Sequence, residues 1–449
     1  MTSIFCIFGL FFLGFTQGLS TFSYGKCDVA VVGAGPGGVY TAWRLAQNGD
    51  DPGKICLIER LHRVGGRILS LRHQGPENDL TVDLGAYRFP ESPMLAYGYY
   101  LYAPLTASLV EKELKLSTAP YEPGTNSTMR KIVDDEGQNI GYATFVEAMY
   151  AELKSNGIQE YFGTEITSIK KAGKNLQLIA KDGSKITAKN VVLNLPLRPL
   201  TRVLANSDSL FPEEYPLVLS EVRPTSGIKL YAHYSDAWWR NYLNLTFGDF
   251  KFNSSGPHEP PLQGRYHDGH IRKSASGSWR GFIEAVYAVS DPSYDFFGPL
   301  QTSEFEPYVK LESENPPTRA LLMGVHRQLV AAHRSKLEDA GVFEKVLSSP
   351  PSFALMSAWG PHAAGFGGAV HYTLTNGSSI NTVPARAMQP KEGLPLFVAN
   401  EAFGSLRNQD GTNAMEHGWA ECSLVMAENI LSKHFNLKRP DFIDASTYE

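Results

Sequence analysis

The first strong pattern along the chain is an unbroken apolar run at 29–32, followed directly by a glycine-rich stretch at 33–38. An apolar run of this length is typical of a strand that is buried on both faces. Residues 39–46 then place apolar side chains at helical spacing, and the stretch 54–58, apolar from Ile55 onward, has the pattern of a second strand. The pattern therefore predicts a strand, a tight turn, a helix and a second strand in close succession.

Further apolar runs occur in the middle and near the C-terminal end of the chain. Short strands separated by turns that contain glycine are predicted at 165–169, 176–180 and 189–196. A buried strand is predicted at 394–399, followed after a loop by a helix at 418–431. Strands that alternate with helices in this way indicate an α/β protein with a doubly wound sheet.

The glycine-rich stretch has the spacing of a dinucleotide-binding turn. Gly33 allows the tight turn and Gly35 lets the backbone approach a pyrophosphate, while Gly38 lies where the helix packs on the strand. The helix N-terminus directs its N–H groups at the phosphates. Glu59 ends the second strand about 20 residues after the last glycine, where a carboxylate accepts hydrogen bonds from an adenosine ribose. A lone glycine turn is a weak signal, but the whole unit favours a nucleotide site.

Length and composition place this unit in a larger globular protein. At 449 residues, two or three domains are expected. Hydrophobic residues make up 43% and charged residues 19% of the chain, which is typical of a folded protein. A net charge of −5 and a pI of about 6.2 give no reason to expect nucleic acid or an anionic membrane as a partner.

The N-terminal segment resembles a secretory signal. Residues 1–20 contain no charged side chain, and an apolar run from Ile4 to Phe15 is too short to span a bilayer. A small residue at 18 and another at 20 provide a cleavage site, whereas a buried N-terminal strand is the alternative. We therefore expect a secreted protein without a stable membrane anchor. Glycosylation is expected at four sequons, which begin at Asn126, Asn244, Asn253 and Asn376.

Cysteine spacing argues against a metal site. Once Cys6 leaves with the signal, the mature chain keeps Cys27, Cys56 and Cys422, an odd number that forbids complete internal pairing. Cys27 and Cys56 would lie on neighbouring strands, where we expect two buried thiols rather than a strained bridge. No pair of cysteines and no Cys/His cluster has metal-ligand spacing in the sequence, so no structural or catalytic metal is expected.

The stretch after Glu59 distinguishes a flavin site from a nicotinamide site. Arg60 is followed by two glycines at 65–66 and by Arg67, which can neutralise phosphate charge. This order of motifs resembles the flavin-containing amine oxidase family. Within that family the stretch 82–90 is most similar to the secreted L-amino-acid oxidases of the snake-venom and marine gastropod type. The resemblance covers most of the chain, is dense only at its two ends, and implies FAD as the cofactor.

Arg88 is the residue that selects a substrate class. In the amino-acid oxidases the matching arginine holds the substrate α-carboxylate, and a planar guanidinium can grip a carboxylate with two parallel hydrogen bonds. The alternative is an arginine paired with a local acid such as Asp83 or Glu91, or with cofactor phosphate. Tyr87 departs from the family, where a smaller or sulfur-containing residue is common at this position.

The resemblance implies several further roles. Lys229, followed by tandem tryptophans at 238–239, matches the lysine that holds a water at flavin N5. Tyr372 matches a second carboxylate ligand, and the pocket wall includes 359–361 and 367–372. Three departures from the family pattern leave the contacts with the flavin ring undefined. They are Asn400 in place of glycine, a long 403–417 loop, and Cys422 where a small glycine is common.

The resulting catalytic candidates are Arg88, Lys229, Tyr372 and Trp419. The cofactor-binding candidates are Gly33, Gly35, Pro36, Gly38, Glu59, Arg60, Gly66, Arg67, Ala86, Tyr87, Arg88, Ile166, Glu401, Gly418, Trp419 and Ala420.

These observations predict a Rossmann-like FAD-binding domain of the glutathione-reductase type, with an inserted α+β substrate domain on a mixed sheet. The expected signal peptide is 1–20. The expected FAD-binding domain is discontinuous, with segments 25–95, 142–225 and 360–435, and the substrate domain comprises 96–141 and 226–359. Homodimer formation is left open.

The resemblance implies oxidative deamination of an L-amino acid, with Arg88 on the carboxylate and flavin N5 as hydride acceptor. The products would be a 2-oxo acid, ammonia and hydrogen peroxide, formed from a small carboxylate-bearing substrate and O2. Three alternatives stay open, namely a polyamine or monoamine oxidase, a flavin-dependent isomerase of polyunsaturated fatty-acid double bonds, and a secreted binding protein that retains flavin as a relic.

Overall fold

The predicted strand, turn, helix and strand form the start of a large sheet. A computed structural model describes residues 23–96, 99–122, 126–207, 210–211, 214–252, 262–267, 269–289, 292–303, 305–360, 371–375, 378, 382–404, 406–407, 413–414 and 419–443. The strands in chain order are β1 (Ser23–Val32), β2 (Ile55–Ile58), β3 (Ser70–Gln74), β4 (Leu80–Asp83), β5 (Phe89–Pro90), β6 (Met94–Ala96), β7 (Tyr99–Leu101), β8 (Thr118–Pro120), β9 (Met129–Ile132), β10 (Gln159–Tyr161), β11 (Ile166–Ala172), β12 (Asn175–Ala180), β13 (Lys185–Leu193), β14 (Val222–Thr225), β15 (Gly227–Tyr234), β16 (Asp249–Phe252), β17 (Leu262–Arg265), β18 (Ile271–Lys273), β19 (Trp279–Val289), β20 (Val309–Glu312), β21 (Phe353–Trp359), β22 (His371–Leu374), β23 (Leu396–Val398), β24 (Leu406–Arg407) and β25 (Asn413–Ala414).

Helices connect and cover these strands. They are α1 (Pro36–Gln47), α2 (Pro104–Ser108), α3 (Thr144–Ser155), α4 (Leu197–Ala205), α5 (Tyr215–Leu219), α6 (Trp238–Asn241), α7 (Pro292–Phe297), α8 (Pro316–Ala332), α9 (Arg334–Asp339), α10 (Phe343–Leu347), α11 (Val383–Met388) and α12 (Ala420–Phe435). Short 3₁₀ turns occur at Pro52–Lys54, Gly298–Leu300 and Glu401–Phe403, and a π-helical turn at Leu109–Glu113.

The nucleotide-binding sheet has the strand order β10-β2-β1-β13-β12-β11, with β23 paired to β13. β1 runs parallel to β2 and β13, and β13 runs parallel to β23. β11, β12 and β13 are antiparallel neighbours, so this sheet is mixed. The strands predicted from apolar runs at both ends of the chain thus meet in one sheet, as the predicted fold class requires.

A buried ion pair joins the two helices that flank this sheet. The Glu428 carboxylate of α12 accepts hydrogen bonds from Arg44 Nε at 2.6 Å and from the Tyr40 hydroxyl at 2.7 Å, both on α1. The side chains of Arg44 and Glu428 are only 7% and 2% exposed. The N-terminal and C-terminal segments of the chain are therefore held together in the core.

A second sheet, the substrate-side sheet, has the order β16-β17-β19-β15-β21-β20, with β18 paired to β19. Its recorded strand pairs are antiparallel, so in this detail it differs from the mixed sheet that was predicted for the substrate domain. Its core contains Trp238 and Trp239, which pack edge-to-face on each other and on Tyr234. The tandem tryptophans therefore belong to the hydrophobic core of this sheet.

The expectation of two free thiols on the neighbouring strands is wrong. Cys27 and Cys56 form a disulfide, with Cα atoms 5.8 Å apart. β1 and β2 are neighbouring strands of the sheet, and a Cα separation of 5.8 Å lies within the range that a disulfide spans. Cys422 is buried and forms no disulfide with another cysteine of the described residues.

Several expectations lie outside the described residues. These are the signal segment 1–20 with Cys6, the sequons that begin at Asn253 and Asn376, residues 361 and 367–370 of the predicted pocket wall, most of the 403–417 loop, and Gly418. Within the described part of the chain, no helix is both long and apolar enough to cross a membrane.

Candidate active site

One cavity of about 640 Å³ lies between the nucleotide-binding sheet and the substrate-side sheet. Gly33 and Gly35 contribute to its wall from the turn after β1, and Lys229 on β15 and Tyr287 on β19 contribute from the other sheet. A pocket of a few hundred Å³ between two structural layers is typical of a cofactor or substrate site.

The Glu59 carboxylate stabilises the glycine turn at the nucleotide end of the cavity. It accepts hydrogen bonds from the Ala34 N–H at 2.8 Å and from the Leu61 N–H at 2.9 Å. Gly33 has a φ of +100° and donates its N–H to the Ile58 carbonyl at 2.7 Å. The turn is thus fastened to the end of β2, with Glu59 in the cavity wall.

The start of α1 requires a glycine because its backbone approaches the turn closely. A Cβ at Gly38 would overlap the carbonyl oxygen of Gly33. Pro36 lies in the first turn of α1 and has no N–H to leave unsatisfied. The first-turn N–H groups of a helix have no intrahelical partner, so this end of α1 is suited to an anion.

Arg63 holds the second glycine loop, although sequence reasoning gave it no role. Its guanidinium donates to the carbonyls of Val64 at 3.0 Å and Gly66 at 2.6 Å. Burial lowers the pKa of Arg63. The N–H of Gly65 donates to the Ala34 carbonyl at 2.8 Å, which fastens this loop to the first glycine turn.

Arg67 and Glu401 form a buried ion pair at the cavity wall. Arg67 donates to one Glu401 oxygen at 2.5 Å and also contacts the other. Burial lowers the pKa of Arg67, but Glu401 and Tyr372 together more than offset this, so the pKa is raised and the arginine stays charged. Asn400, which replaces the expected glycine, adopts an extended backbone (φ −111°, ψ 139°) and caps the 3₁₀ turn by accepting from the Ala402 N–H at 2.7 Å. Asparagine therefore fits here without strain.

The substrate end of the cavity is organised around Tyr87. The ammonium of Lys229 lies 3.5 Å from the centre of its ring, and the guanidinium of Arg88 lies 4.8 Å away. Arg265 donates to the Tyr87 hydroxyl at 2.8 Å. Tyr87 thus contacts Lys229 and Arg88 through its ring and Arg265 through its hydroxyl. These contacts hold the three cations in place relative to one another.

Lys229 is buried and its charge is disfavoured. Its ammonium donates to the Asp83 carbonyl at 3.1 Å and to the Tyr231 hydroxyl at 3.4 Å. Burial is the main cause that lowers the pKa of Lys229 from 10.5 to about 7; Glu284 and Asp83 oppose the change, and Arg265 and Arg88 add to it. A lysine of this kind can hold or release a proton near neutral pH.

The local acids considered above each contact other residues. Asp83 accepts from Ser70 and from the Tyr142 N–H, and Glu91 pairs with Arg130 at 3.0 Å. Arg88 instead donates to Glu122 at 3.3 Å, and its guanidinium also lies 4.8 Å from the ring centre of Tyr121. Arg88 is 8% exposed and forms part of the cavity wall.

The cavity wall brings together most of the candidate residues. Present in the wall are Gly33, Gly35, Pro36, Glu59, Arg60, Gly66, Arg67, Ala86, Tyr87, Arg88, Ile166, Lys229, Glu401, Trp419 and Ala420. Gly38 and Tyr372 do not belong to the described wall. The Tyr372 hydroxyl accepts from the Leu197 N–H at 3.4 Å, and its ring lies 5.9 Å from the Arg67 guanidinium.

The wall also contains residues that sequence reasoning did not identify. They are Asn194, Pro199, Arg202, Asn206, Gln263, Arg265, Tyr287 and Ser423, among others. Arg265 and Tyr287 come from strands with no local motif, so no sequence signal pointed to them. No histidine occurs in the described wall, and the described residues contain no group of three or more His, Cys, Asp or Glu side chains that could hold a metal.

These features fit FAD on physical grounds. A glycine turn and a helix N-terminus can receive a pyrophosphate, and Glu59 lies beside the turn where a ribose would be bound. Ile166, Leu195, Ile228 and Trp359 add apolar surface to the wall, which suits an isoalloxazine ring. The fold and this site define a Rossmann-type flavin-binding protein.

Comparisons with known proteins agree with this class. Residues 31–97 match the NAD(P)-binding Rossmann-like domain, and residues 127–296 match the flavin containing amine oxidoreductase family. The chain is thus similar to the flavin-containing amine oxidoreductases over its middle segment, and its cofactor is FAD.

Individual relatives are distant. The chain is 29% identical to Aplysianin-A of Aplysia kurodai over 154 residues, which is 32% of this chain and 25% of that protein. It is 33% identical to Achacin of Lissachatina fulica over 97 residues, which is 22% of this chain and 16% of that protein. The matched segments thus span a quarter or less of these relatives. A structure of putrescine oxidase bound to putrescine superposes with a TM-score of 0.59 at 13% identity, covering 92% of this chain and 100% of that one, which shows a shared fold.

Proposed function

We propose that the protein is a secreted L-amino-acid oxidase. The reaction would convert an L-amino acid, O2 and water into a 2-oxo acid, ammonia and hydrogen peroxide. FAD supplies the redox chemistry, since it accepts a hydride equivalent from the substrate and passes two electrons to O2. The protein supplies binding, orientation and proton control.

The observation that carries this proposal is the position of Arg88. Its guanidinium belongs to the cavity wall and is oriented by the rings of Tyr87 and Tyr121. Such a buried guanidinium can bind an α-carboxylate through a charge-assisted, two-pronged hydrogen bond. The α-carbon would then be positioned by the carboxylate that Arg88 holds.

Lys229 is assigned proton control near the reacting centre. With a pKa of about 7, its side chain is a mixture of charged and neutral forms at neutral pH. The neutral amine can accept a hydrogen bond from a water molecule, and the charged form can donate one. We assign it the role of holding the water that hydrolyses the imino acid.

The charges of the substrate end argue against an amine substrate. The carboxylates of the described wall are committed elsewhere, since Glu59 fastens the glycine turn, Glu401 pairs with Arg67 and Glu165 pairs with Lys181 at 3.5 Å. A diamine would bring further positive charge beside Arg88 and Lys229, where like charges repel. Polyamine or monoamine oxidation is therefore less well supported than oxidation of a carboxylate-bearing substrate.

Secretion is part of the same proposal. The Cys27–Cys56 disulfide is typical of a protein that folds in an oxidising compartment. Asn126 and Asn244 begin sequons and are exposed, so they are accessible for glycosylation.

The test is a peroxide assay of the flavin-loaded protein with the twenty L-amino acids, putrescine, spermine and a polyunsaturated fatty acid. We expect peroxide from amino acids, and Arg88→Ala should lower kcat/KM roughly 30- to 5,000-fold, because removing one partner of a buried charge pair costs about 2–5 kcal/mol. Arg334→Ala, on the exposed face of α9, is the matched control and should leave kcat/KM unchanged.

The competing functions give different results in the same assay. Turnover of putrescine or spermine, with indifference to Arg88→Ala, contradicts the proposal. Isomerisation of the fatty acid without peroxide points to the isomerase, and failure of every compound to bleach the flavin anaerobically points to a binding protein.

A further inference from the structure

We propose that Glu284 is the internal counter-charge at the substrate end of the cavity. It acts as a positioning residue that stabilises the protonated form of Lys229 and so sets the pH at which the oxidase works. The effect on turnover rests on the proposed function, whereas the electrostatic coupling between the two side chains does not.

Glu284 is the only carboxylate of β19, an apolar strand in which most side chains are buried. The residue is 0% exposed, and neither of its carboxylate oxygens accepts a hydrogen bond from a described residue. A buried carboxylate without hydrogen bonds is costly unless nearby cations compensate its charge. The charges around Glu284 must therefore explain why this strand carries an acid.

A β-bulge places Glu284 on the cavity side of the substrate-side sheet. Tyr287 lies opposite Lys229 and Glu284 lies opposite Tyr231, with a register shift between the two pairs. In a regular strand, residues 284 and 287 would face opposite sides, whereas the extra residue of a bulge brings both to one side. The two residues between them both pack in the hydrophobic core on the other side. Glu284 thus shares a face of the sheet with Lys229 and Tyr287, which line the cavity.

The titratable and charged groups that face Lys229 come from its own strand, from β17, from β19 and from the segment 83–88. They are Tyr231, Arg265, Glu284, Tyr287, Asp83, Tyr87 and Arg88. The neighbouring strand β21 places the uncharged Ser357 opposite Lys229. The set thus contains two acids that can compensate the ammonium.

Glu284 is the stronger of these two acids. Burial lowers the pKa of Lys229 to about 7, and Glu284 opposes this change more than Asp83 does. Asp83 already accepts hydrogen bonds from the side chains of Ser70 and Asn139. Without Glu284 the neutral amine of Lys229 would therefore predominate at pH 7.

Arg265 is the alternative partner of Glu284, because it lies opposite this acid on the same face of the sheet. Its guanidinium already donates to the Tyr87 hydroxyl and contacts Asp249 at 3.3 Å. An arginine keeps its proton over the whole range in which Lys229 titrates. The pH dependence of the coupling therefore distinguishes the two partners.

The first experiment is a double-mutant cycle of Glu284→Gln and Lys229→Met, followed by urea unfolding with excess FAD at pH 6 and pH 9.5. At pH 6 the lysine is charged, so the change in urea midpoint caused by Glu284→Gln should be more destabilising when Lys229 is present than when methionine replaces it. At pH 9.5 the lysine is neutral, and both backgrounds should respond alike. Glu312→Gln, which removes an exposed acid of β20 in the same sheet, is the matched control and should show no coupling to Lys229→Met at either pH.

The second experiment is the pH profile of kcat/KM with an amino acid that the wild type oxidises. We expect an inflection near pH 7 that is absent from Lys229→Met. Glu284→Gln should move this inflection to lower pH by about one unit or more, the size expected for a unit charge about 7 Å away at an effective dielectric constant of about 20. Glu284→Asp keeps the charge, so its inflection should lie between those of the wild type and Glu284→Gln.

The outcomes separate this inference from the proposed function. A coupling that is absent, or of equal size at pH 6 and pH 9.5, overturns the counter-charge role towards Lys229, and equal coupling assigns Glu284 to Arg265. An unmoved inflection in Glu284→Gln overturns it as well. Absence of turnover with every amino acid overturns the oxidase proposal alone, and a coupling confined to pH 6 would still support the role of Glu284. If Glu284→Gln does not fold, the cycle is measured with Glu284→Asp, which should show a smaller coupling that is again confined to pH 6, and a coupling without pH dependence would overturn the proposal.

Discussion

Replacing Lys229 with methionine should stabilise the protein, and by an amount that depends on pH. The residue is 5% exposed, and burial lowers the pKa of its ammonium from 10.5 to about 7. Each pKa unit corresponds to about 1.36 kcal/mol. The charged lysine therefore costs the folded state about 5 kcal/mol relative to an ordinary lysine. Methionine has a similar length and carries no charge, so Lys229→Met removes this cost.

The sign of the pH dependence follows from proton binding. Between pH 7 and pH 10.5 the unfolded chain binds more protons at this lysine than the folded chain does, so the stability of the wild type rises with pH across this window. The advantage of Lys229→Met should be about 5 kcal/mol at pH 6 and about 1.5 kcal/mol at pH 9.5. Loss of the hydrogen bond to Asp83 subtracts about 1 kcal/mol at every pH.

Urea unfolding with excess FAD at pH 6, 7.5 and 9.5, followed by circular dichroism and flavin fluorescence, measures this difference. Lys251→Met is the control, because Lys251 lies on β16 of the same sheet and is exposed. The control should show no comparable pH dependence. A stability difference for Lys229→Met that stays constant within about 1 kcal/mol from pH 6 to 9.5 would refute the buried, destabilised lysine.

Two further changes test the parts of the fold that hold the cofactor. Gly38→Ala should weaken FAD binding at least tenfold in a fluorescence titration of the apoprotein, because the new Cβ would overlap the Gly33 carbonyl; an unchanged dissociation constant would contradict the close approach. Gly324→Ala in α8, where a Cβ meets nothing within 4 Å, should instead leave FAD binding intact and stabilise the helix by up to about 1 kcal/mol. Glu428→Gln should cost about 3–5 kcal/mol in urea unfolding, because Arg44 stays buried without its counter-charge. Adding Arg44→Met should recover part of this loss, and strictly additive effects would speak against the pair.

The nucleotide end could be predicted because its signals are local. The strand, the turn and the helix lie within 25 consecutive residues, and each has its own hydrophobic or glycine signature. Glu59 lies farther along the chain, directly after β2. Because β1 and β2 are parallel neighbours, the end of β2 lies beside the turn that follows β1. The Cys27–Cys56 bridge shows the limit of this reasoning. Adjacent strands were predicted correctly, yet whether two cysteines reach each other depends on the distance between them in the folded chain, which the pattern does not specify.

The substrate end could be predicted only in part, because it depends on contacts between distant segments. Arg88 was found through a motif, but its partner Glu122 and its neighbour Arg265 belong to segments without a turn or a periodic signal. Arg265 reaches the cavity only because β17 pairs with β19, which in turn pairs with β15. No sequence pattern specifies which residue of such a sheet faces a ligand.

Tyr87 explains how cofactor binding and substrate choice can vary separately. Its ring and hydroxyl contact Lys229, Arg88 and Arg265, whereas the nucleotide turn is held by Glu59 and the ends of β1 and β2. A smaller residue at position 87 would remove the contact shared by the three cations without touching the turn. Buried cations repel one another, so the loss of this shared contact would let them move apart and change which anions the cavity accepts. The tyrosine at position 87 therefore bears on the proposed choice of substrate and leaves the nucleotide turn unaffected.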